Sequence, residues 1–171
     1  MTNTHNEISS EYLRVIKLRF REMKSTAEKT FDQLDGEMLF WFPNDNSNSI
    51  SIIVKHMSGN MVSRWTDFLN SDGEKPDRDR DGEFEHTISN RNELYEVWEK
   101  GWNVFLNALD SIEEDQLHRK IFIRNEPHTL IEAIERQMYH YSSHVGQIIY
   151  IAKQLKSEGW TSLTIPKKNN N

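Results

Sequence analysis

Two histidines four residues apart, His140 and His144, stand inside a segment of helical periodicity, so both rings project from one helix face. Such a pair can chelate one metal ion, each ring giving a nitrogen at about 2.0–2.1 Å. Turning about 100° per residue from Tyr141, the residues Ile134, Val145, Ile148 and Ala152 fall within about 40° of it. The two histidines lie about 60–100° to one side, beside the apolar stripe. A third histidine, His56, lies about 100° from Met57 on another amphipathic segment, in a polar strip with Asn60, Ser63 and Asp67. If the two strips face one groove, three imidazoles converge. A histidine beside an apolar stripe can instead be a hydrogen-bonded boundary residue, and spacing alone leaves both readings open. His5 falls near the chain start, His86 and His118 in loops, and His128 beside a proline.

Three neutral histidines would leave a divalent ion its full charge and an open position, the pattern of catalytic rather than structural zinc. Zinc, nickel, iron and manganese all accept imidazole, so the donor set does not choose among them. Arg64 lies only about 20° from the centre of the apolar face that Met57 marks, where an arginine needs a partner. It could bind a substrate carboxylate through both nitrogens, or pair with an acidic residue of the 72–85 region. Asn60 and Asp67, on the His56 strip, are the other pocket candidates. Gln147 reads as a packing residue, with Gly146 allowing close approach. No residue stands out as a general acid or base.

The elements that must position these residues are four long helices. Apolar residues at three- and four-residue spacing predict the first over about 7–34, with Ile8, Tyr12, Val15, Ile16, Phe20, Met23 and Ala27 on its stripe and Asp35-Gly36 as its stop. The second runs over about 49–69, after a short apolar stretch, Pro43 and an Asn-rich turn. Residues 70–89 are charged and without period, long enough for a crossover or lid. The third helix starts near Asn90, which has capping-box spacing to Glu93; the last opens at Thr129 with Glu132 and runs to about residue 156, with Gly159 just beyond. Between them, 111–117 reads as a helical turn and 120–124 as one arm of a small hairpin that turns at 125–127. One long connection, between the second and third helices, implies an all-α four-helix bundle in which those neighbours run parallel. The 171 residues suit one domain, 1–171, with a polar tail at 166–171.

Composition excludes several classes. There are no cysteines, which removes disulfides, thiolate ligands and a thiol nucleophile. The net charge of −6, from 27 acidic and 21 basic side chains with no basic cluster, argues against nucleic acid. No apolar run reaches the roughly 18 residues of a membrane span, and the polar start lacks a signal peptide's core, so a cytoplasmic protein is expected. Paired Glu-x-x-His helices for a di-iron site, a His-Glu-x-x-His motif, a Gly-x-Ser-x-Gly elbow and a phosphate loop are all missing.

The segment His140-Tyr141-Ser142-Ser143-His144-Val145-Gly146-Gln147-Ile148 resembles the H-x-x-x-H-x-G-Q-I signature of the DinB/YfiT-like metalloprotein superfamily. Leu39, Trp41, Pro43, Ser49-Ile50, Ile53 and His56 match that superfamily's earlier motif, which ends in its first metal histidine. Ser63-Arg64-Trp65-Thr66-Asp67-Phe68-Leu69, leading into Asp72-Gly73-Glu74-Lys75-Pro76, is similar to a subgroup without an assigned function. The resemblance implies a four-helix bundle with a long crossover, one divalent metal held by His56, His140 and His144, and a homodimer. It also implies a small-molecule substrate, with transfer of a low-molecular-weight thiol as the expected reaction. A metal-dependent hydrolase, or a bundle that binds metal or ligand without turnover, are the alternatives.

Overall fold

A computed structural model describes residues 2–165, with side chains from residue 7; the tail at 166–171 and the His5 side chain lie outside the described residues. Four helices carry most of the chain: α1 (Thr2–Phe31), α2 (Ile50–Trp65), α3 (Arg91–Asp110) and α4 (Leu130–Lys156). An antiparallel hairpin of β1 (Lys120–Ile123) and β2 (Glu126–Thr129) leads directly into α4. Among the described residues, no helix is long and apolar enough to cross a membrane.

Side-chain caps set the helix starts. Ser49 accepts from the Ile52 amide, and Asn90 from that of Glu93. Thr129 and Glu132 form the reciprocal capping box. Each cap of this kind stabilises its helix by about 1 kcal/mol. The ends differ more from the sequence expectation. Helix α2 stops at Trp65 rather than near residue 69, because Thr66 is extended and Asp67 has φ 48°, the left-handed region. Helix α1 stops at Phe31, before Asp35-Gly36, and Gly36 has right-handed helical backbone. At the end of α4 the left-handed residue is Ser157 (φ 47°), not Gly159. Arg124 and Asn125, with φ 56° and 61°, make the hairpin turn, and Pro127 sits in β2 opposite Phe122. Two successive positive φ values suit the right-handed twist of a two-residue hairpin loop.

The packing contacts fix the helix directions. Ser58 lies against Gly101 and Trp65 against Phe105, so α2 and α3 run parallel. Tyr12 reaches Glu135 and Phe20 packs near Tyr141, so α1 and α4 also run parallel. Phe20 meets Phe105 while Phe31 meets Trp98, which makes α1 antiparallel to α3. Residues 66–90 therefore carry the chain back along the molecule, the crossover expected from the sequence.

The core is rich in aromatics that meet edge to face: Phe20 and Phe105 at 4.5 Å between ring centres, Trp65 and Phe105 at 5.0 Å, Phe105 and Tyr141 at 5.4 Å. Such pairs add about 0.5–1.5 kcal/mol beyond burial. On α1 the buried face is Leu13, Ile16, Phe20, Ala27 and Phe31; Ile8 and Val15, placed on the stripe by spacing, are exposed. The stripe is rotated toward Leu13, which sits three and seven residues before Ile16 and Phe20.

Helices α2 and α3 approach closely at Gly101. A Cβ there would lie 2.6 Å from the Ser58 Cα, so the two backbones would have to separate. Gly101→Ala is expected to destabilise the fold by about 1–3 kcal/mol in chemical unfolding. Gly36→Ala, where a Cβ meets nothing within 4 Å, is expected to show no such loss.

Candidate metal centre

Helices α2 and α4 meet through the three histidines. His56 Nε2 lies 3.2 Å from His140 Nε2, and His144 Nε2 lies 3.0 Å from that same atom. One ligand atom from each ring lies within 4.8 Å of the others. Nitrogens sharing one tetrahedral ion at about 2.0–2.1 Å stand about 3.3 Å apart, so the spacing fits a single divalent metal. His56 is buried, and His140 and His144 are half-buried.

The outer hydrogen bonds decide which nitrogens face inward. His56 Nδ1 is 2.9 Å from Glu83 Oε2. Burial opposes the charge on Glu83, but hydrogen bonds from His56 and Arg78 overcome it and hold its pKa below the ordinary value. An ionised carboxylate only accepts, so His56 Nδ1 donates, and in the neutral ring this leaves the Nε2 lone pair pointing at the cluster. His144 Nδ1 likewise donates to Gln147 Oε1 at 2.9 Å, leaving its Nε2 as an acceptor. Burial, reinforced by His144, His56, Arg78 and Arg64, pushes the His140 pKa down to about 3. Burial also lowers that of His144, against the hydrogen bond to Gln147. For His140 and His144 the balance favours neutral imidazole, the form that ligates metal.

Glu83 carried no signal in the sequence, since it lies in an aperiodic charged run. In the fold it is buried, accepting from Arg78 Nε at 2.7 Å and Nη2 at 2.8 Å as well as from His56. Gly59, on α2, makes room for it: a Cβ at Gly59 would lie 2.2 Å from Glu83 Oε1. Phe84 then stacks on the His56 ring at 4.9 Å.

The other sequence candidates separate. Asn60 is buried beside the triad, its Oδ1 accepting from the Tyr141 hydroxyl at 3.1 Å. Arg64 is buried and partnered, donating to the Gly73 carbonyl at 2.6 Å and to Glu74 at 2.8 Å, the structural pairing anticipated for the 72–85 region. Asp67 does not join them. It lies beyond the end of α2, exposed, where it accepts from Asn70. Gln147 holds His144 rather than packing helices, and a Cβ on Gly146 would meet nothing within 4 Å, so no close approach depends on it. His86 stacks on Phe42, and His128 bonds to the Glu126 carbonyl, both apart from the triad.

The model of a family described as "Protein of unknown function (DUF1572)" matches residues 7–169. The chain belongs to this family. No curated protein matches it. In this DUF1572 member, therefore, the triad and its carboxylate support are read from geometry and chemistry.

Around the triad, Glu74 ties the crossover down. It accepts from Arg64 at 2.8 Å, Arg124 at 2.9 Å and Arg78 at 3.2 Å. Burial works against its charge, but hydrogen bonds from Arg64 and Arg124 prevail and lower its pKa from 4.5 to about 2. A depressed folded-state pKa contributes stability above the unfolded value, which is lost as pH falls through the folded value. The stability advantage of wild type over Glu74→Gln is thus expected to be full above pH 4.5 and to vanish near pH 2, in urea unfolding at stepped pH.

Glu83→Gln keeps the shape but weakens the acceptor for His56, and is expected to lower metal affinity by about 10–100-fold in chelator competition. Gly59→Ala, which displaces the same carboxylate, is expected to lower affinity in the same direction with His56, His140 and His144 all intact.

Proposed function

We propose that the chain is a metal-dependent enzyme that binds one divalent ion through His56, His140 and His144 and transfers a low-molecular-weight thiol to a small electrophile. The observation that carries the metal site is the convergence of two inward-facing Nε2 lone pairs, those of His56 and His144, within 3.2 Å of His140 Nε2. When bound, the ion supplies Lewis acidity, lowering the pKa of a thiol or water at the position the three rings leave open. The long α2–α3 crossover and the His140–Ile148 motif support reading the fold as a DinB-like four-helix bundle. The homodimer in this proposal rests on that resemblance.

The surroundings of the triad favour thiol transfer over hydrolysis. Among the described residues, Glu83 is the carboxylate bonded to the triad, and its oxygens are already held by Arg78 and His56. A hydrolase of an amide or ester needs a group to relay protons to its leaving group. A thiol needs less, because its proton is far more acidic than that of water and the sulfur attacks as the anion. The chain's part is then to hold three neutral imidazoles in place, keep the site half-enclosed and leave one side open to the electrophile. Sulfur forms the new bond, and the displaced group departs with its electron pair.

Purified protein is expected to carry about one metal equivalent per chain, and His140→Ala and His144→Ala to lose it, as read by elemental analysis. The metal-loaded protein is expected to conjugate at least one member of a thiol panel to an electrophilic acceptor. Unchanged metal in both variants would sink the site. Full metal without turnover of thiols would instead point to hydrolysis, if an ester panel is cleaved, or to binding alone.

A further inference from the structure

The triad opens on one side into a cleft of 430 Å³, lined by His56 and His140 themselves. Five arginines line the same cleft: Arg64, Arg78, Arg80, Arg124 and Arg136. No carboxylate is among its lining residues, in a chain whose net charge is −6. Arg64, Arg78 and Arg124 are bound to Glu74 or Glu83. Arg80 and Arg136 make no ion pair among the described residues, and both are exposed at the cleft's edge; Arg80 lies over the Phe84 ring at 5.8 Å. Five guanidinium groups against two carboxylates leave this wall positive.

A second observation lies deeper in the same cleft. Gln137 is 2% exposed, yet its side chain makes no hydrogen bond with the described residues, and its Oε1 is buried without a partner. A buried primary amide with nothing to bond costs about 1–3 kcal/mol, and because a half-turn about its last bond exchanges oxygen and nitrogen, Gln137 can present its amide N–H groups to an anion. Asn60, 6% exposed, uses its Oδ1 on Tyr141 and leaves its amide nitrogen without a partner. The floor of the cleft thus offers amide groups beside His140, and its rim offers unpaired guanidinium groups. Arginine's planar fork matches the paired oxygens of an oxyanion.

We infer that this cleft is an anion subsite: it binds the carboxylate or phosphate group of the substrate, with Arg80 and Arg136 supplying charge and Gln137 and Asn60 supplying amide contacts, while the reacting end lies at the histidines. The inference rests on the proposed metal centre for the reacting end, but the subsite itself stands on residues that do not ligate. An oxyanion seated there would present a small substrate to the open side of the triad in one orientation. Neutral substrates would lack that anchor.

The test is calorimetric titration of inorganic phosphate and, separately, of succinate into the full chain, with metal and after chelation. Wild type is expected to bind at least one of the two anions in both forms, the tighter one naming phosphate or carboxylate as the group. The double variant Arg80→Gln/Arg136→Gln is expected to bind about tenfold more weakly, and Gln137→Leu to weaken binding in the same direction. Both should keep wild-type metal content and neither should unfold at a lower temperature than wild type, which separates loss of the subsite from loss of the fold. Binding seen only with metal present would make the anion a ligand of the ion and overturn the subsite. So would equal affinity in wild type and the double variant, or no binding of either anion to wild type. The metal centre fails by a different sign, retained metal in His140→Ala and His144→Ala, so the two ideas can fall separately.

Discussion

The buried carboxylate of Glu83 is the contact on which the other features of the site depend. Taking an ionised carboxylate out of water costs several kcal/mol, and only a full set of donors offsets it. Here Arg78 gives two N–H groups and His56 gives one, all at 2.7–2.9 Å. The same bond that neutralises the cost fixes the His56 tautomer and anchors an otherwise irregular segment to α2. It also explains an omission: Gly59 has no side chain because the carboxylate occupies the place where a Cβ would be.

A chain with excess acid has thereby built a positive interior surface next to three histidines. Its carboxylates in this region are turned to structural use. Glu74 and Glu83 brace arginines, and Asp72 accepts the backbone amides of Glu74, Arg124 and Asn125, pinning the hairpin turn. The Gly73 amide adds a bond to the Phe122 carbonyl. The crossover and the hairpin are therefore one fastened assembly, and it walls the cleft from the side opposite α4.

The four helices were legible in the sequence because each carries periodic apolar residues and a polar start such as Ser49, Asn90 or Thr129. The pair His140 and His144 was legible for the same reason, since spacing on one helix is local geometry. Joining His56 to them took a family resemblance, because no local pattern reports which faces of two distant helices meet. Glu83 and Arg78 were not legible at all. They sit in residues 70–89, where neither period applies and long-range ion pairs alone set the path. Asp67 shows the opposite error: a helical wheel extends a strip past the point where one left-handed residue has already ended the helix.

The rings of His56 on α2 and His140 on α4 stand 84 residues apart in the chain. Contacts of such separation form only after the intervening loop has been closed, at an entropic cost that local contacts do not bear. The cradle cannot exist in a half-folded chain, so capture of the proposed ion would follow the docking of the first and last thirds of the polypeptide. An ion that recognises only this docked state shifts the folding equilibrium by mass action, about 2.7 kcal/mol at a hundred times its dissociation constant. Supply of the ion would then govern how long the chain persists as well as what it can do.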